Sequence, residues 1–164
     1  SIREGLLRLF PDQKELVEDV VARANGDFSL ARQVIENEEM DHYHFEQFTF
    51  FMRKCFKREI IEIHDWVDKL SGLGRERIKR FLGYGLRMIR ENYMLHLKQD
   101  KITYLSKKEA DFSQNFSAFI HPGNAGVLAG AFEEAIRHIE ANGYSRIILL
   151  DLAIQTIMLL KRAA

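Results

Sequence analysis

Two carboxylates and two imidazoles lie between residues 39 and 44, where they could bind a metal ion. Glu39 and His42 have the Glu-x-x-His spacing of half of a di-iron site, and Asp41 and His44 lie beside them. A di-iron centre in a helical bundle needs a second such motif and two further glutamates on other helices, and the sequence contains no second motif. We therefore expect the polar start of a helix here and no metal site. An enzyme with a histidine and carboxylate site in this segment is the open alternative.

The remaining titratable residues indicate no catalytic group. The sequence has no Walker A motif, no Gly-x-Gly-x-x-Gly and no His-Glu-x-x-His. Glu134 and His138, one helical turn apart, are expected to form a surface pair, and His64 and His96 to be half-buried packing residues. Cys55 is the single cysteine and cannot form an internal disulfide, so we expect a structural thiol in a reducing cytoplasm. We assign no catalytic, nucleotide-binding or metal-binding residue and no cofactor, and we expect the chain by itself not to be an enzyme.

Charge is uneven along a chain whose formal net charge is zero. Residues 1–40 hold five basic and nine acidic residues, whereas residues 72–100 hold seven basic and three acidic ones. One face of the helix between Arg75 and Arg90 could contact phosphates, or it could meet the acidic surface of a neighbouring subunit. A solvated helix face is a third explanation. We assign Arg87 and Arg90 to a subunit interface, and a nucleic-acid-binding module that uses the same face stays an alternative.

Helices must position these residues, because apolar residues recur at helical spacing along the whole chain. We predict an all-α protein with six or seven helices and no strand. Pro11 stops the first helix, Asn25 and Gly26 end the second, and Asp27 caps the third. The expected core face of the third helix consists of Leu30, Ala31, Val34 and Ile35. The acidic, unpatterned residues 37–39 predict a boundary.

Past this boundary the predicted helices are rich in aromatic residues. Residues 41–56 hold six aromatic residues. The stripe expected to be buried consists of Phe45, Phe48, Met52 and Phe56, and Phe50 and Phe51 widen it, which indicates burial against more than one neighbour. The expected core face of the next helix consists of Ile60, Ile63, Trp66, Val67 and Leu70. Residues 75–98 form the longest predicted helix, and Gly83 and Gly85 inside it indicate that another element packs close there.

The last predicted helix, at about residues 145–162, is apolar on nearly every side. It is shorter than the ~20 apolar residues that a membrane span needs, so we expect no membrane partner. A helix that is apolar all round is buried all round, either in its own core or against another chain. We therefore assign four of its residues to a subunit interface: Ile147, Leu150, Ile154 and Met158.

A segment near the start of the chain resembles the small helical lid of AAA+ clamp-loader subunits. In residues 24–35 (ANGDFSLARQVI) a helix ends on glycine and a new helix begins, where that family carries the sensor-2 motif, broadly Gly-Ser-x-Arg-Asp-Ala. Aligned on Gly26 and Ala31, Ser29 occupies the position of the arginine that reaches the terminal phosphates of the nucleotide in the family. The resemblance therefore implies a subunit that does not itself hydrolyse ATP.

Four later segments resemble the C-terminal part of the delta-prime subunits of the bacterial DNA polymerase III clamp loader, in the form found in the Bacteroidetes group. These segments are residues 66–77 (WVDKLSGLGRER), 81–92 (FLGYGLRMIREN), 109–113 (EADFS) and 135–143 (AIRHIEANG). The resemblance implies that residues 1–38 are the last helices of an AAA+ lid. It implies that residues 39–164 are a five-helix collar, the domain that holds the loader pentamer together.

Assembly rather than catalysis is the function that this resemblance implies. The chain would join other clamp-loader subunits, while the AAA+ domains of the parent complex bind the sliding clamp and primed DNA. The missing ATPase-like domain would precede Ser1, where the sequence begins without a methionine. The collar of an ATP-hydrolysing gamma/tau-type subunit is the alternative within the family. Ser29 and the end of the chain just after the collar argue against that alternative.

Overall fold

The computed structural model describes residues 2–24, 28–98 and 104–163, and these residues form eight α-helices and no strand. The all-α prediction is confirmed, although the helices outnumber the six or seven expected. They are α1 Ile2–Leu9, α2 Lys14–Ala24, α3 Phe28–Lys57, α4 Ile60–Ser71, α5 Arg75–His96, α6 Lys107–Phe116, α7 Ala125–Glu140 and α8 Ser145–Leu160. A short 3-10 turn, Ser117–Phe119, follows α6. The predicted helix ends at Asn25 and Gly26 and the cap at Asp27 lie outside the described residues.

A single helix occupies the region where the sequence pattern predicted a boundary. The helix α3 runs without interruption through residues 37–39 and has 30 residues, so it and not α5 is the longest. The expected break is wrong because glutamate is a good helix former and no glycine or proline interrupts α3. Arg32 and Glu36, one turn apart and 2.9 Å from each other, add an ion pair along the helix surface.

The chain divides into two compact units, Ser1–His44 and Phe45–Ala164. The first unit has a small core, formed by Leu6, Val17, Val20, Ala31 and Ile35. The prediction that Leu30 belongs to this core is wrong, since that side chain is about half exposed. On the surface of the same unit, Arg3 and Glu18 form an ion pair between α1 and α2.

Four aromatic residues from four helices form the centre of the second unit. Phe51 of α3 stacks on Trp66 of α4 with ring centroids 4.8 Å apart. Trp66 meets Phe81 of α5 edge to face, and Phe51 meets Phe132 of α7 in the same way. The indole nitrogen of Trp66 donates to the side-chain oxygen of Gln47, so this large ring is buried without losing its hydrogen bond.

The inward stripe of α3 in this unit differs from the predicted one. Phe48, Phe51 and Met52 are buried, but Phe56 is 54 % exposed. Cys55 takes the next inward position and is buried, so the prediction that Phe56 lies in the core is wrong by one residue. On α4 the predicted core face is confirmed except for Ile60, which opens the helix and is exposed.

The two glycines within α5 have different surroundings. A Cβ atom at Gly85 would lie 2.5 Å from Cε2 of Phe132, so the predicted close approach is confirmed there, between α5 and α7. A Cβ atom at Gly83 would meet nothing within 4 Å, and for Gly83 the prediction is wrong. Gly85 thus lets the two helices that pack most extensively in this unit come together.

Five helices, α4 to α8, lie wholly within the second unit, together with the end of α3. Along the chain, the first unit ends at His44 and the second begins at Phe45, six residues after the predicted lid boundary. The assignment of residues 1–38 to a lid and of residues 39–164 to a collar stays a prediction.

Candidate functional site

An exposed apolar stripe runs along α8. Ile147, Ile154 and Met158 are 62 %, 56 % and 62 % exposed, and Leu150 beside them is half-buried. Positions i, i+3, i+7 and i+11 of a helix fall on one side, so the four residues assigned from the sequence form one continuous surface. We call them the α8 stripe. The opposite side of the helix is buried and consists of Leu149, Leu152, Ala153, Thr156, Leu159 and Leu160.

One charged residue lies beside the α8 stripe. Asp151 is exposed and lies between Ile147 and Ile154 along the helix, and its Oδ2 accepts a hydrogen bond of 2.6 Å from Nε2 of Gln155. The helix is therefore apolar on two opposite sides but is buried by its own unit on only one of them. We predicted that α8 is buried on all sides. Within this chain, only the side that faces the core is buried.

Arg146 joins the start of α8 to α4. Its Nε lies 2.9 Å from Oδ1 of Asp68, and its Nη2 lies 2.8 Å from Nε2 of His64. Because an arginine can only donate, Nε2 of His64 accepts, which places the proton of the neutral ring on Nδ1. His64 is exposed rather than half-buried as expected, since its contacts are polar ones at the surface.

The side of α4 that carries this cluster also carries an isoleucine. Ile61 is 76 % exposed and lies one and two turns before His64 and Asp68, on the same side of the helix. Asp68 lies near the end of α4, and Arg146 lies at the start of α8. Because these two residues are in contact, the two helices run in opposite directions. Ile61 is therefore an exposed apolar residue on a helix that packs on α8, at the level of the middle of α8. Ile61 was not predicted from the sequence to be part of an exposed surface, although the adjacent Ile60 and Ile61 cannot both face the core.

Arg87, which was assigned to a subunit interface from the sequence, has its hydrogen-bond partners inside the second unit. Its Nη2 lies 2.5 Å from Oε2 of Glu109 on α6, and its Nη1 donates to the carbonyl oxygen of Tyr104 at 2.9 Å. The hydroxyl group of Tyr84 donates to the same Glu109 oxygen at 2.6 Å. The other oxygen of Glu109 accepts from the backbone N–H of Ser106, which completes a capping box at the start of α6.

The protonation equilibrium of Glu109 reflects these contacts. Burial raises the pKa of the carboxyl group, but the hydrogen bonds from Tyr84 and the Ser106 N–H, together with the Arg87 guanidinium, outweigh it and hold the pKa below the ordinary value of 4.5. Glu109 is 5 % exposed, so the pair is an internal clamp between α5 and α6. The Ser-x-x-Glu spacing of the capping box was readable in the sequence, but its partner Arg87 was not.

Arg90 has an intramolecular partner as well. Its Nη2 lies 2.7 Å from Oε1 of Glu133 on α7, and Lys79 lies 3.1 Å from Glu76. Within the described residues, Arg75 and Arg80 form no ion pair. The face predicted to bind a partner or nucleic acid is thus partly neutralised by the protein itself, and the interface assignment of Arg87 and Arg90 stays a prediction.

The other candidate positions do not converge. Ser29 is exposed in the first turn of α3, and its assignment to a sensor-2 position stays a prediction. Glu39 accepts a hydrogen bond from Gln13 at 2.5 Å, while His44 is buried. In residues 2–24, 28–98 and 104–163, no three histidine, cysteine, aspartate or glutamate side chains are grouped so that they could hold a metal ion.

Two predictions about single titratable residues are confirmed. Glu134 and His138 lie 3.5 Å apart on the surface of α7. Cys55 is buried against α8, with its Sγ 3.9 Å from the carbonyl oxygen of Ala153. Burial raises the pKa of the Cys55 thiol to about 12, which fits a structural thiol and not a nucleophile.

Comparison of the chain with protein-family models, with curated proteins and with solved structures finds no match. Among the helices of the described residues, none combines the length and the apolar character that crossing a bilayer requires. The arrangement that the residues themselves offer is an apolar surface on α8 without a partner in the described chain. Such a surface can bind another protein.

Proposed function

We propose that this chain is a non-catalytic assembly segment of a bacterial clamp-loader subunit of the delta-prime type. The observation that carries the proposal is the α8 stripe, where three large apolar side chains of the last helix are more than half exposed. Contiguous exposed apolar surface on a globular unit is typical of a protein–protein contact. In this proposal, the α8 stripe packs on the neighbouring subunit of a hetero-oligomer.

The resemblance described above supplies the identity of that oligomer. The quoted segments extend over α4, α5, α6 and α7, and five complete helices in the second unit are compatible with a five-helix collar. In the proposal, the other loader subunits are the direct partners of this chain. The sliding clamp and primed DNA are partners of the parent complex, in the cytoplasm, and nucleotide hydrolysis takes place in other domains.

Burial of the α8 stripe would supply part of the association energy. Full burial of one large aliphatic side chain contributes about 1.5–3 kcal/mol, so each of the three exposed residues can contribute roughly 1–2 kcal/mol. A stable interface buries at least about 1,000 Å² in total, which is more than these residues can provide. The surface must extend beyond them, and Ile61 is an exposed apolar residue on α4, which packs on α8.

The experiment is reconstitution with purified clamp-loader subunits of a Bacteroidetes species. The chain is mixed with the other subunits at micromolar concentration and examined by size-exclusion chromatography with light scattering. We expect a species of higher mass that contains the chain. Ile154→Ser should weaken this complex by about fivefold or more, and Val127→Ser, at an exposed position of α7, should leave it intact.

Two outcomes would contradict the proposal. One is a chain that elutes as a monomer in the presence of all the subunits. The other is a complex that Ile154→Ser and Val127→Ser weaken equally, since this would separate assembly from the α8 stripe.

A further inference from the structure

A second apolar surface lies on the second unit, between the end of α3 and α6. It is an open trough of about 510 Å³, within the 300–1,000 Å³ range of ligand sites. We call it the aromatic trough, and its apolar lining consists of Phe45, Met52, Phe56, Phe112, Phe116 and Phe119, together with Leu160 at the end of α8. None of these residues belongs to the α8 stripe.

The two walls of the aromatic trough run in the same direction. At one end Phe45 of α3 meets Phe112 of α6, with ring centroids 5.9 Å apart. At the other end Phe56 meets Phe119 at 5.0 Å. Phe45 and Phe56 are three helical turns apart, so the trough is ~16 Å long. Its length and its two helical walls suit a third helix lying between them.

The far end of the trough exposes aromatic surface to solvent. Phe56 is more than half exposed, and Phe119 is exposed as well. Phe112 and Phe116 stack on each other at 4.9 Å and form the floor. An occupant could therefore bury ring surface without moving the backbone of either helix.

Positive charge borders the aromatic trough. The guanidinium of Arg53 lies 5.6 Å from the ring centroid of Phe112, and Nζ of Lys108 lies 5.4 Å from that of Phe45. Arg53 forms no ion pair within the described residues. Together, residues 45–57 and 107–116 hold five basic and three acidic residues. Of these, Glu109 is bound to Arg87 and Lys54 to Glu59. The lining itself holds two cations, Arg53 and Lys108, and one carboxylate, Asp111, so it is net positive. The border thus favours an anionic partner.

We propose that the aromatic trough binds an acidic amphipathic helix of a partner protein. Apolar side chains spaced at i, i+4 and i+7 on that helix enter between the phenyl rings. Carboxylates on either side of this apolar face reach Arg53 and Lys108, which lie on opposite walls. This contact is independent of the α8 stripe and of the assembly proposed above.

The geometry favours a peptide over single-stranded nucleic acid. Bases bind such surfaces by stacking on exposed ring faces, but here the cations of Arg53 and Lys108 lie over the faces of Phe112 and Phe45. Phe116 stacks on Phe112, and Phe56 meets Phe119 edge to face, so the trough offers grooves between rings rather than a row of free ring faces.

The test uses two synthetic peptides of about 15 residues, ~22 Å long as helices, labelled with fluorescein. The acidic peptide has leucines at i, i+4 and i+7 flanked by glutamates, and in the basic peptide every glutamate is a lysine. Fluorescence anisotropy with the full chain should show binding of the acidic peptide. The basic peptide should bind at least about tenfold more weakly, because it loses the charge-assisted contacts.

Variants of exposed residues locate the binding. Phe56→Ala and Arg53→Glu should each weaken acidic-peptide binding at least about fivefold, a loss of ~1 kcal/mol, as is common for interface anchors. The matched controls Ile61→Ala on α4 and Arg75→Glu on α5 should leave it unchanged. The double variant Arg53→Glu with Lys108→Glu should prefer the basic peptide. Circular dichroism of each variant verifies that the helices are retained.

Several outcomes would overturn the proposal. These are no binding of the acidic peptide at millimolar concentration, equal binding of both peptides, or weakening by the control variants alone. If a thymidine 15-mer binds and Phe56→Ala abolishes this, the trough is a nucleic-acid site instead. If the chain self-associates and Phe56→Ala prevents it, the occupant is a second copy. Reconstitution through the α8 stripe is a separate result, so either proposal can fail alone.

Discussion

The side-chain nitrogen of Asn124 donates to the carbonyl oxygen of Leu159, 3.0 Å away, and so joins the start of α7 to the end of α8. The same nitrogen donates to the carbonyl oxygen of Phe119, and Oδ1 of Asn124 accepts from the backbone N–H of His121. Asn124 is buried, so one buried amide bonds to three backbone groups, of which the Leu159 carbonyl also accepts from the backbone N–H of Arg162.

Asn124→Ala should therefore destabilise the chain strongly. The variant removes the partner of the Phe119 carbonyl and of the His121 N–H, and each such group costs about 1–3 kcal/mol. We therefore expect a loss of roughly 3 kcal/mol in the free energy of unfolding. Urea denaturation followed by circular dichroism measures this loss. Asn115→Ala, at an exposed position of α6, is the control and should change stability by less than about 0.5 kcal/mol. Equal losses in the two variants would refute this role of Asn124.

The two glycines of α5 give a prediction with opposite signs. Gly83→Ala should stabilise the chain by about 0.5–1 kcal/mol, because alanine favours the helix and the added methyl group meets open space. Gly85→Ala should destabilise it by about 1–3 kcal/mol, since the methyl group would collide with the buried ring of Phe132. Thermal unfolding of both variants tests the pair. A stabilising Gly85→Ala would show that α5 and α7 are not in close contact.

The clamp between Glu109 and Arg87 predicts a dependence of stability on pH. Because the pKa of Glu109 is lower in the folded chain than the ordinary value of 4.5, its contribution is fully present at neutral pH. It is lost as the pH falls below 4.5 and through the folded pKa. Glu109→Gln should cost about 1.5–3 kcal/mol at pH 7, and the difference from the unmodified chain should shrink below pH 4.

The control for this clamp is Glu76→Gln, which removes an exposed pair with Lys79. It should cost less than about 1 kcal/mol at every pH. Denaturation in urea at pH 7 and pH 3.5 provides the comparison. A cost for Glu109→Gln that does not change between these two pH values would contradict the assignment.

Cys55 should be unreactive in the folded chain. It is buried, and its pKa of about 12 leaves almost no thiolate at pH 8. Ellman's reagent should label Cys55 far more slowly in buffer than in 6 M urea, where the thiol is exposed. Rapid labelling without denaturant would mean that α3 and α8 separate readily.

Local spacing in the sequence was sufficient to predict the class of fold and most of the helices. It was wrong at Phe56, Ile60 and Leu30 for one reason: an apolar residue at the edge of a stripe is buried only if a neighbouring element covers it. Gly85 was predicted correctly and Gly83 was not, since only the packing partner Phe132 distinguishes two glycines on one helix.

The candidate site divides in a similar way. The apolar composition of α8 is a local property, so Ile147, Ile154 and Met158 of the α8 stripe could be singled out from the sequence alone. The partners of Arg87 and Arg90 could not be, because Glu109 and Glu133 lie 22 and 43 positions away along the chain. Ion pairs between distant segments depend on how the helices pack, which no charge count reveals.

In the proposed assembly, the carboxylate of Asp151 limits which neighbouring surfaces the α8 stripe can bind. Its hydrogen bond with Gln155 leaves other acceptor sites open on the charged group. A purely apolar surface packed on α8 would desolvate this carboxylate without donating a hydrogen bond to it, at a cost of several kcal/mol. A neighbour with a donor opposite Asp151 avoids that penalty. Asp151→Ala should therefore make the surface of α8 less selective and the chain more prone to non-specific aggregation.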